Sequence, residues 1–136
     1  MSASRLFQVL CRHLSQGPKQ NYVPTVFDKI ISREIPANIV YEDKHVIAFK
    51  DIDPKAPVHI LLIPKNHEGL INLNPAEAKH KEILGYLMLK ASEIAKTQKL
   101  EQGWRLIINN GDHAGQTVYH LHLHILGGRD LSWPPG

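Results

Sequence analysis

The sequence predicts an α+β domain, an antiparallel sheet of about five strands with two helices packed on it. Three observations carry that prediction. Residues Tyr119 to Leu126 alternate with period two, four other short segments are rich in β-branched and apolar residues, and two segments repeat their apolar side chains every three or four positions.

In chain order, Thr25 and Asp28 form a capping box ahead of a short helix whose Val26, Phe27, Ile30 and Ile31 make one apolar stripe. Ile35-Pro36 ends that element. Ile39-Val40-Tyr41 and Val46-Ile47-Ala48-Phe49 then read as a hairpin turned at Glu42-Asp43-Lys44. Val58 to Ile63, ended by Pro64, is a strong central strand, and His59 interrupts its apolar run. Asn74-Pro75-Ala76-Glu77 has the composition of a helix start, so the second helix is expected from about Pro75 to Gln98, with Ile83, Leu84, Leu87, Met88, Ala91, Ile94 and Ala95 as its packed face. Arg105 to Asn109 is the next strand, followed by a loop with glycines at 111 and 115 that permits consecutive N–H groups to converge on an anion. His67, His80 and His113 read as surface residues.

The last strand carries the chemistry. Successive strand side chains point to opposite faces, so His120, His122 and His124 share one face while Tyr119, Leu121, Leu123 and Ile125 point into a core. Two strand steps cover about 6.6–6.8 Å, which puts His120 and His124 roughly 13 Å apart. Zinc–nitrogen bonds are only about 2 Å long, so a straight strand cannot bring all three rings to one ion. A pair could reach it, given a carboxylate or thiol as a further ligand. The other chemistry open to the cluster is nucleophilic catalysis, since a neutral imidazole, with an ordinary pKa of about 6.5, needs no activation near neutral pH.

Composition narrows the remaining classes. The 136 residues suit one domain, and the single cysteine, Cys11, excludes an internal disulfide. Residues 1–23 contain Arg5, Arg12 and Lys19 and no acid, which leaves 13 basic side chains to balance 13 acidic ones in residues 24–136. A neutral body argues against nucleic acid as partner. No apolar run approaches the ~18 residues of a membrane span. The acid-free segment places Leu6, Val9, Leu10 and Leu14 at helical spacing before Gly17-Pro18, the pattern of a mitochondrial targeting sequence. An untargeted tail on a cytoplasmic or nuclear protein is the alternative. Arg5-Leu6 and His13-Leu14 approach a peroxisomal address but are one residue too far apart.

His120-Leu121-His122-Leu123-His124-Ile125-Leu126 resembles the motif of the histidine triad (HIT) superfamily of nucleotide hydrolases and transferases. Gly127-Gly128-Arg129 and Trp133-Pro134-Pro135-Gly136 resemble its histidine triad nucleotide-binding (HINT) branch. The likeness runs from about Thr25 to Gly136. It implies a homodimeric HIT-like fold over residues 24–136 and hydrolysis of purine nucleoside phosphoramidates to AMP or GMP and an amine, without metal or other cofactor.

By that resemblance His122 is the nucleophile, and His124 or Thr117 delivers the proton to the departing amine. His120 and His59 orient the nucleophile, and Asp51, beside Ile52, receives the ribose hydroxyls. Asn109, Gly115, Gln116, Thr117, Val118 and His124 surround the phosphoryl group. Val26, Phe27, Ile30 and Phe49 line the base pocket, and Trp133 reaches toward the neighbouring subunit's site. Thr117 stands where the closest relatives mostly carry serine. A nucleotide-binding regulatory protein and a dinucleoside polyphosphate hydrolase remain as alternatives.

Overall fold

Val58–Pro64 (β3) lies at the centre of an antiparallel five-stranded sheet, with Val46–Lys50 (β2) on one side and Leu123–Gly127 (β5) on the other. Ile39–Glu42 (β1) and Trp104–Ile107 (β4) are the edges, giving the order β1-β2-β3-β5-β4. The computed structural model describes residues 23–136. The expected targeting segment lies almost wholly outside them. Among the described residues no helix is long and apolar enough to cross a membrane.

Alternation along β3 divides the core. Ile60 and Leu62, with Val46, Ala48, Leu123 and Ile125, face the long helix Lys81–Thr97 (α2), which contributes Leu87, Ala91, Ile94 and Ala95. Leu61 and Ile63, with Ile47 and Phe49, face the short helix Val26–Ile31 (α1) through Phe27 and Ile30. The capping box is present as expected: the Thr25 hydroxyl accepts from the Phe27 N–H, and the Asp28 carboxylate accepts from the Thr25 N–H at 2.7 Å. Helix α1 ends at Ile31, well before Pro36, and Val26 is exposed beside it.

Three expectations are corrected. Helix α2 does not start at Pro75; residues 74–75 turn, and a 3-10 turn at Ala78–His80 leads into Lys81. The Asn74 N–H donates to Asn72 Oδ1, so Asn74 belongs to the preceding turn and is not a cap. His80 is only 3% exposed, because its Nδ1 accepts from the Glu77 N–H and its Nε2 faces the Glu68 carbonyl. The histidine strand begins at Leu123, not Tyr119. Pro64 has no N–H with which to extend the ladder, and its carbonyl is taken by the His120 ring at 2.8 Å. The Leu121 N–H turns away to the Leu70 carbonyl, and Tyr119, 37% exposed, hydrogen-bonds Asp112 at the surface.

The turn between β1 and β2 is tied to α2 through one carboxylate. Asp43 accepts from the Tyr41 and Tyr86 hydroxyls and from the N–H groups of His45 and Val46. Burial alone would raise its pKa, but these four donors outweigh burial and hold it far below the usual carboxylate range. Lys90 covers both tyrosine rings, 5.2 and 5.3 Å from their centroids. Asp43→Ala is expected to cost about 2–3 kcal/mol, since it strands several donors at once. The contribution of Asp43 is complete above the unfolded carboxylate's pKa of about 3.9 and is lost as pH falls below it. Thermal melts of the variant and the parent at pH 7 and pH 3 check this; the gap between them should narrow at the lower pH.

Candidate active site

The register of β3 against β5 sets up the site. His59 pairs with Leu126, so His124 is its diagonal neighbour on the same face. Diagonal positions are about 7–8 Å apart at the backbone, within reach of two imidazoles, and the ring centroids of His59 and His124 are 5.2 Å apart. His122 lies 5.0 Å from His124, and Phe27 packs edge-on against both His120 and His122. His67, expected at the surface, is half-buried with its ring 4.9 Å from that of His120; His113 is exposed as expected.

Partners that can only donate or only accept assign the tautomers. The Lys55 N–H donates to His59 Nδ1 at 3.0 Å, so neutral His59 carries its proton on Nε2. That N–H donates to His124 Nδ1 at 2.9 Å, which leaves the His124 proton on Nε2. His124 Nε2 is buried and has no partner among the described residues, so it presents an unsatisfied N–H. The second chain runs the other way. The Pro64 carbonyl accepts from His120 Nε2, and the His120 carbonyl accepts from His122 Nδ1 at 2.7 Å. His122 therefore keeps its lone pair on Nε2.

The site holds all four rings neutral. Burial lowers the pKa of His122 despite its hydrogen bond to the His120 carbonyl, and it lowers those of His120 and His59. His124 falls to about 4, first through burial and then through His122 and His59 beside it. Asp51 Oδ2 lies 3.4 Å from His59 Nε2. Because His59 is neutral, this is a carboxylate beside a ring N–H and not an ion pair.

The remaining candidates divide into those near this centre and those committed elsewhere. Asp51 is half-buried, its Oδ1 accepting from the Asp53 N–H, while Ile52 is 100% exposed. Asn109 is half-buried two residues beyond β4, and Thr117 is exposed. Phe27, Ile30 and Phe49 are buried in the core that underlies the histidines. Gly111 and Gly115 adopt positive φ (89° and 84°), as the anion-loop reading requires. The N–H groups of Gly115 and Gln116, however, donate to the Asp112 and Gly111 carbonyls within the loop. That leaves the amides of Thr117 and Val118 for a ligand.

The Gln116 side chain is likewise occupied. It accepts from Asn72 and from the Gly111 N–H, and it donates to the Ile71 and Val118 carbonyls. Nothing local in the sequence identified this brace, nor the Lys55 N–H and Pro64 carbonyl that orient the rings. Trp133 is 81% exposed on a tail held by Arg105 to the Ser132 carbonyl. A cavity of about 520 Å³ bounded by Lys44, Lys65, Lys79 and Tyr86 lies beside α2, and none of the four histidines lines it.

A model of the HIT domain family matches residues 32–131. The chain belongs to the HIT domain family. It is 57% identical over 113 residues to the 14 kDa zinc-binding protein of Zea mays, covering 83% of this chain and 88% of the relative. It is 54% identical over 113 residues to the adenylylsulfatase HINT1 of Arabidopsis thaliana, covering 83% and 77%, which puts it in the HINT-like branch of the HIT superfamily. The HIT family hydrolase from Legionella pneumophila superposes with a TM-score of 0.80 at 45% identity, covering 83% of this chain and 100% of that one. The histidine triad nucleotide-binding protein from Candida albicans has a TM-score of 0.67 at 31% identity, covering 82% and 83%.

The name of the Zea mays relative raises a metal, for which one cluster of side chains is a candidate. Asp51, His59 and His124 each offer a ligand atom, all within 4.8 Å of one another. Two imidazoles and a carboxylate are zinc-type donors, but the Lys55 N–H holds the His59 lone pair on Nδ1, so His59 turns an N–H toward the other two and the set as arranged does not fit the ion. The strand geometry that keeps the three triad rings from one ion does not apply here, because His59 comes from β3 and Asp51 follows β2.

Two measurements check this description. Histidine pKa values below 6.5 mean that the unfolded chain binds protons which the folded chain does not. Stability is therefore full above pH 6.5 and falls as pH drops toward about 4; thermal melts across that range should show the decline, with a shallower slope in His124→Asn. Gln116→Ala should cost roughly 2–4 kcal/mol by stranding four partners, the buried Asn72 amide among them. It should also raise hydrogen exchange at Gly111 more than in β3.

Proposed function

We propose that the protein hydrolyses purine nucleoside 5′-phosphoramidates, adenosine 5′-monophosphoramidate and aminoacyl- or lysyl-AMP conjugates included, to the nucleoside monophosphate and a free amine. The observation that carries this reading is the His122 ring, neutral, with Nδ1–H held by the His120 carbonyl and Nε2 left as a lone pair. Nε2 attacks the α-phosphorus, and the P–N bond breaks with its electron pair leaving on nitrogen. That nitrogen takes a proton through Thr117 or His124 and departs as the amine. Water then attacks the phosphorus and returns a proton through the same group, the P–Nε2 bond breaks with its pair restored to Nε2, and AMP leaves.

The phosphoryl oxygens are held by the His124 Nε2–H, the Thr117 and Val118 amides and Asn109, as charge spreads over them. Asp51 takes the ribose hydroxyls, and Phe27, Ile30 and Phe49 form the apolar ground beneath the base. The name of the Arabidopsis relative supports a neighbouring substrate, in which the same attack expels sulfate from an adenylyl sulfate.

The reading includes a homodimer in which Trp133 reaches the neighbouring site, supported by exposed Met88 and Leu89 on α2, and mitochondrial delivery by residues 1–23. Deleting residues 131–136 is expected to change preference among amines several-fold, with little change in melting temperature.

The deciding experiment is mass spectrometry after brief mixing with adenosine 5′-phosphoramidate, with AMP release followed with and without a chelator. A transient adenylyl adduct absent from His122→Ala, with chelator-insensitive turnover, supports the reading. Tight AMP binding with neither adduct nor turnover refutes it in favour of a regulatory nucleotide binder. Faster turnover of a dinucleoside polyphosphate or of adenylyl sulfate would reassign the leaving group.

A further inference from the structure

We infer that the main-chain N–H of Lys55, fixed in place by Arg129, sets the tautomers of His59 and His124 and so makes His124 present an N–H, rather than a lone pair, to the substrate. The consequence for turnover rests on the function proposed above. The tautomers themselves do not.

An imidazole has two neutral tautomers, and what its neighbours offer decides between them. At His59 the neighbour on Nδ1 is the Lys55 N–H, 3.0 Å away, which can only donate. The Lys55 side chain is not involved; it is exposed and pairs with Asp53. If this N–H moved away, His59 would be free to carry its proton on Nδ1. Its Nε2 would then meet His124 Nδ1 as an acceptor, the His124 proton would move to Nδ1, and His124 Nε2 would become a lone pair. A lone pair there repels the phosphoryl oxygens that an N–H attracts. One backbone donor thus fixes the polarity of an atom two rings away.

The loop bearing this donor is clamped from the C-terminal side of β5. Arg129 Nη2 donates to the Lys55 carbonyl at 2.8 Å, while its Nη1 donates to the Asp130 carbonyl at 2.9 Å. Gly128 permits the approach: it sits at φ +88°, and a Cβ there would lie 3.0 Å from Pro57 Cβ. Gly127 pairs with Val58 in the ladder, so the same stretch of chain that continues the histidine strand also holds the loop that tunes it. Asp51 works in the same direction from the far side, as an acceptor 3.4 Å from His59 Nε2. Loss of the Lys55 donor alone should therefore produce a mixture of tautomers and not a complete reversal.

Lys55→Pro removes the N–H outright, and Arg129→Ala loosens the loop while leaving the N–H in the chain. Nitrogen-15 spectra of histidine-labelled protein at pH 7.5 read the tautomers directly. The wild type should show Nε2–H at both His59 and His124. Lys55→Pro should show a clear Nδ1–H population at one or both rings and Arg129→Ala a smaller one, with Arg129→Lys returning to the wild-type pattern. On phosphoramidate, kcat should fall several-fold in Lys55→Pro, in proportion to the Nδ1–H population and short of the ~10²-fold loss of a deleted oxyanion donor, with KM changing much less. A wild-type His124 that carries Nδ1–H overturns the inference, as do wild-type spectra in both variants. If Lys55→Pro does not fold, Arg129→Ala decides alone. Tautomers that respond as described in a protein that turns over no phosphoramidate would leave the inference standing and refute the proposed function.

Discussion

A carbonyl oxygen can only accept a hydrogen bond and a main-chain N–H can only donate one, and this constraint decides what the four clustered histidines present to solvent. The Pro64 and His120 carbonyls drive protons onto His120 Nε2 and His122 Nδ1. The Lys55 N–H drives them off Nδ1 of His59 and, through it, of His124. Two neighbouring rings with the same chemistry thus end with opposite character: His122 shows a lone pair and His124 shows a proton. A nucleophile beside a hydrogen-bond donor is the pair that attack on a phosphoryl group calls for. Because burial keeps both rings neutral, the division does not depend on either carrying charge.

The fold serves this arrangement by keeping its fixed groups on rigid elements. The Pro64 carbonyl belongs to the central strand, and the His120 carbonyl lies where the chain leaves the ladder, held by the Leu121 N–H bond to Leu70. Starting β5 only at Leu123 is therefore what frees the His120 carbonyl and ring to act locally. Had the ladder run on to Tyr119, those polar groups would have been drawn toward cross-strand bonds. Gln116 and Asn72 perform the corresponding task for the 111–118 loop, where their amides replace the backbone partners that a strand would have had.

Most of the architecture was legible in the sequence, because local physics decides it. The Thr25–Asp28 capping box, the hairpin turned at Asp43, the β3 run and the two-face alternation of Leu121, Leu123 and Ile125 against the histidines all appear as read. The departures occur where a distant partner competes with local preference. Asn74-Pro75-Ala76-Glu77 satisfies the rules for a helix start, yet Asn72 takes the Asn74 N–H and His80 takes that of Glu77, displacing the start to Lys81. The His120–His122 segment alternates like a strand, but only the position of Pro64 on the neighbouring strand reveals that the ladder stops. At the site, residue types were legible and roles were not. His59 and Asp51 read as candidates only through the resemblance to the HIT superfamily, whereas the Lys55 N–H is a backbone group that no side-chain pattern can signal.

Burial is what gives the site its reactivity and also its cost. Desolvation keeps the imidazoles neutral and lowers stability below pH 6.5. Among the described residues only two buried side-chain polar atoms lack a hydrogen bond, His120 Nδ1 and His124 Nε2, and both belong to this cluster. Unsatisfied buried groups cost about 1–3 kcal/mol each, so a chain retains them where something compensates. His120 Nδ1 is a lone pair whose neighbour, Asp28 Oδ1 at 3.8 Å, is also an acceptor, so no substrate oxygen can relieve it. His124 Nε2 is the opposite case. It is a buried N–H beside the His122 ring, and an incoming anionic oxygen satisfies it directly. On the proposed function a phosphoryl oxygen is the acceptor for that N–H, and the desolvated surroundings strengthen the bond.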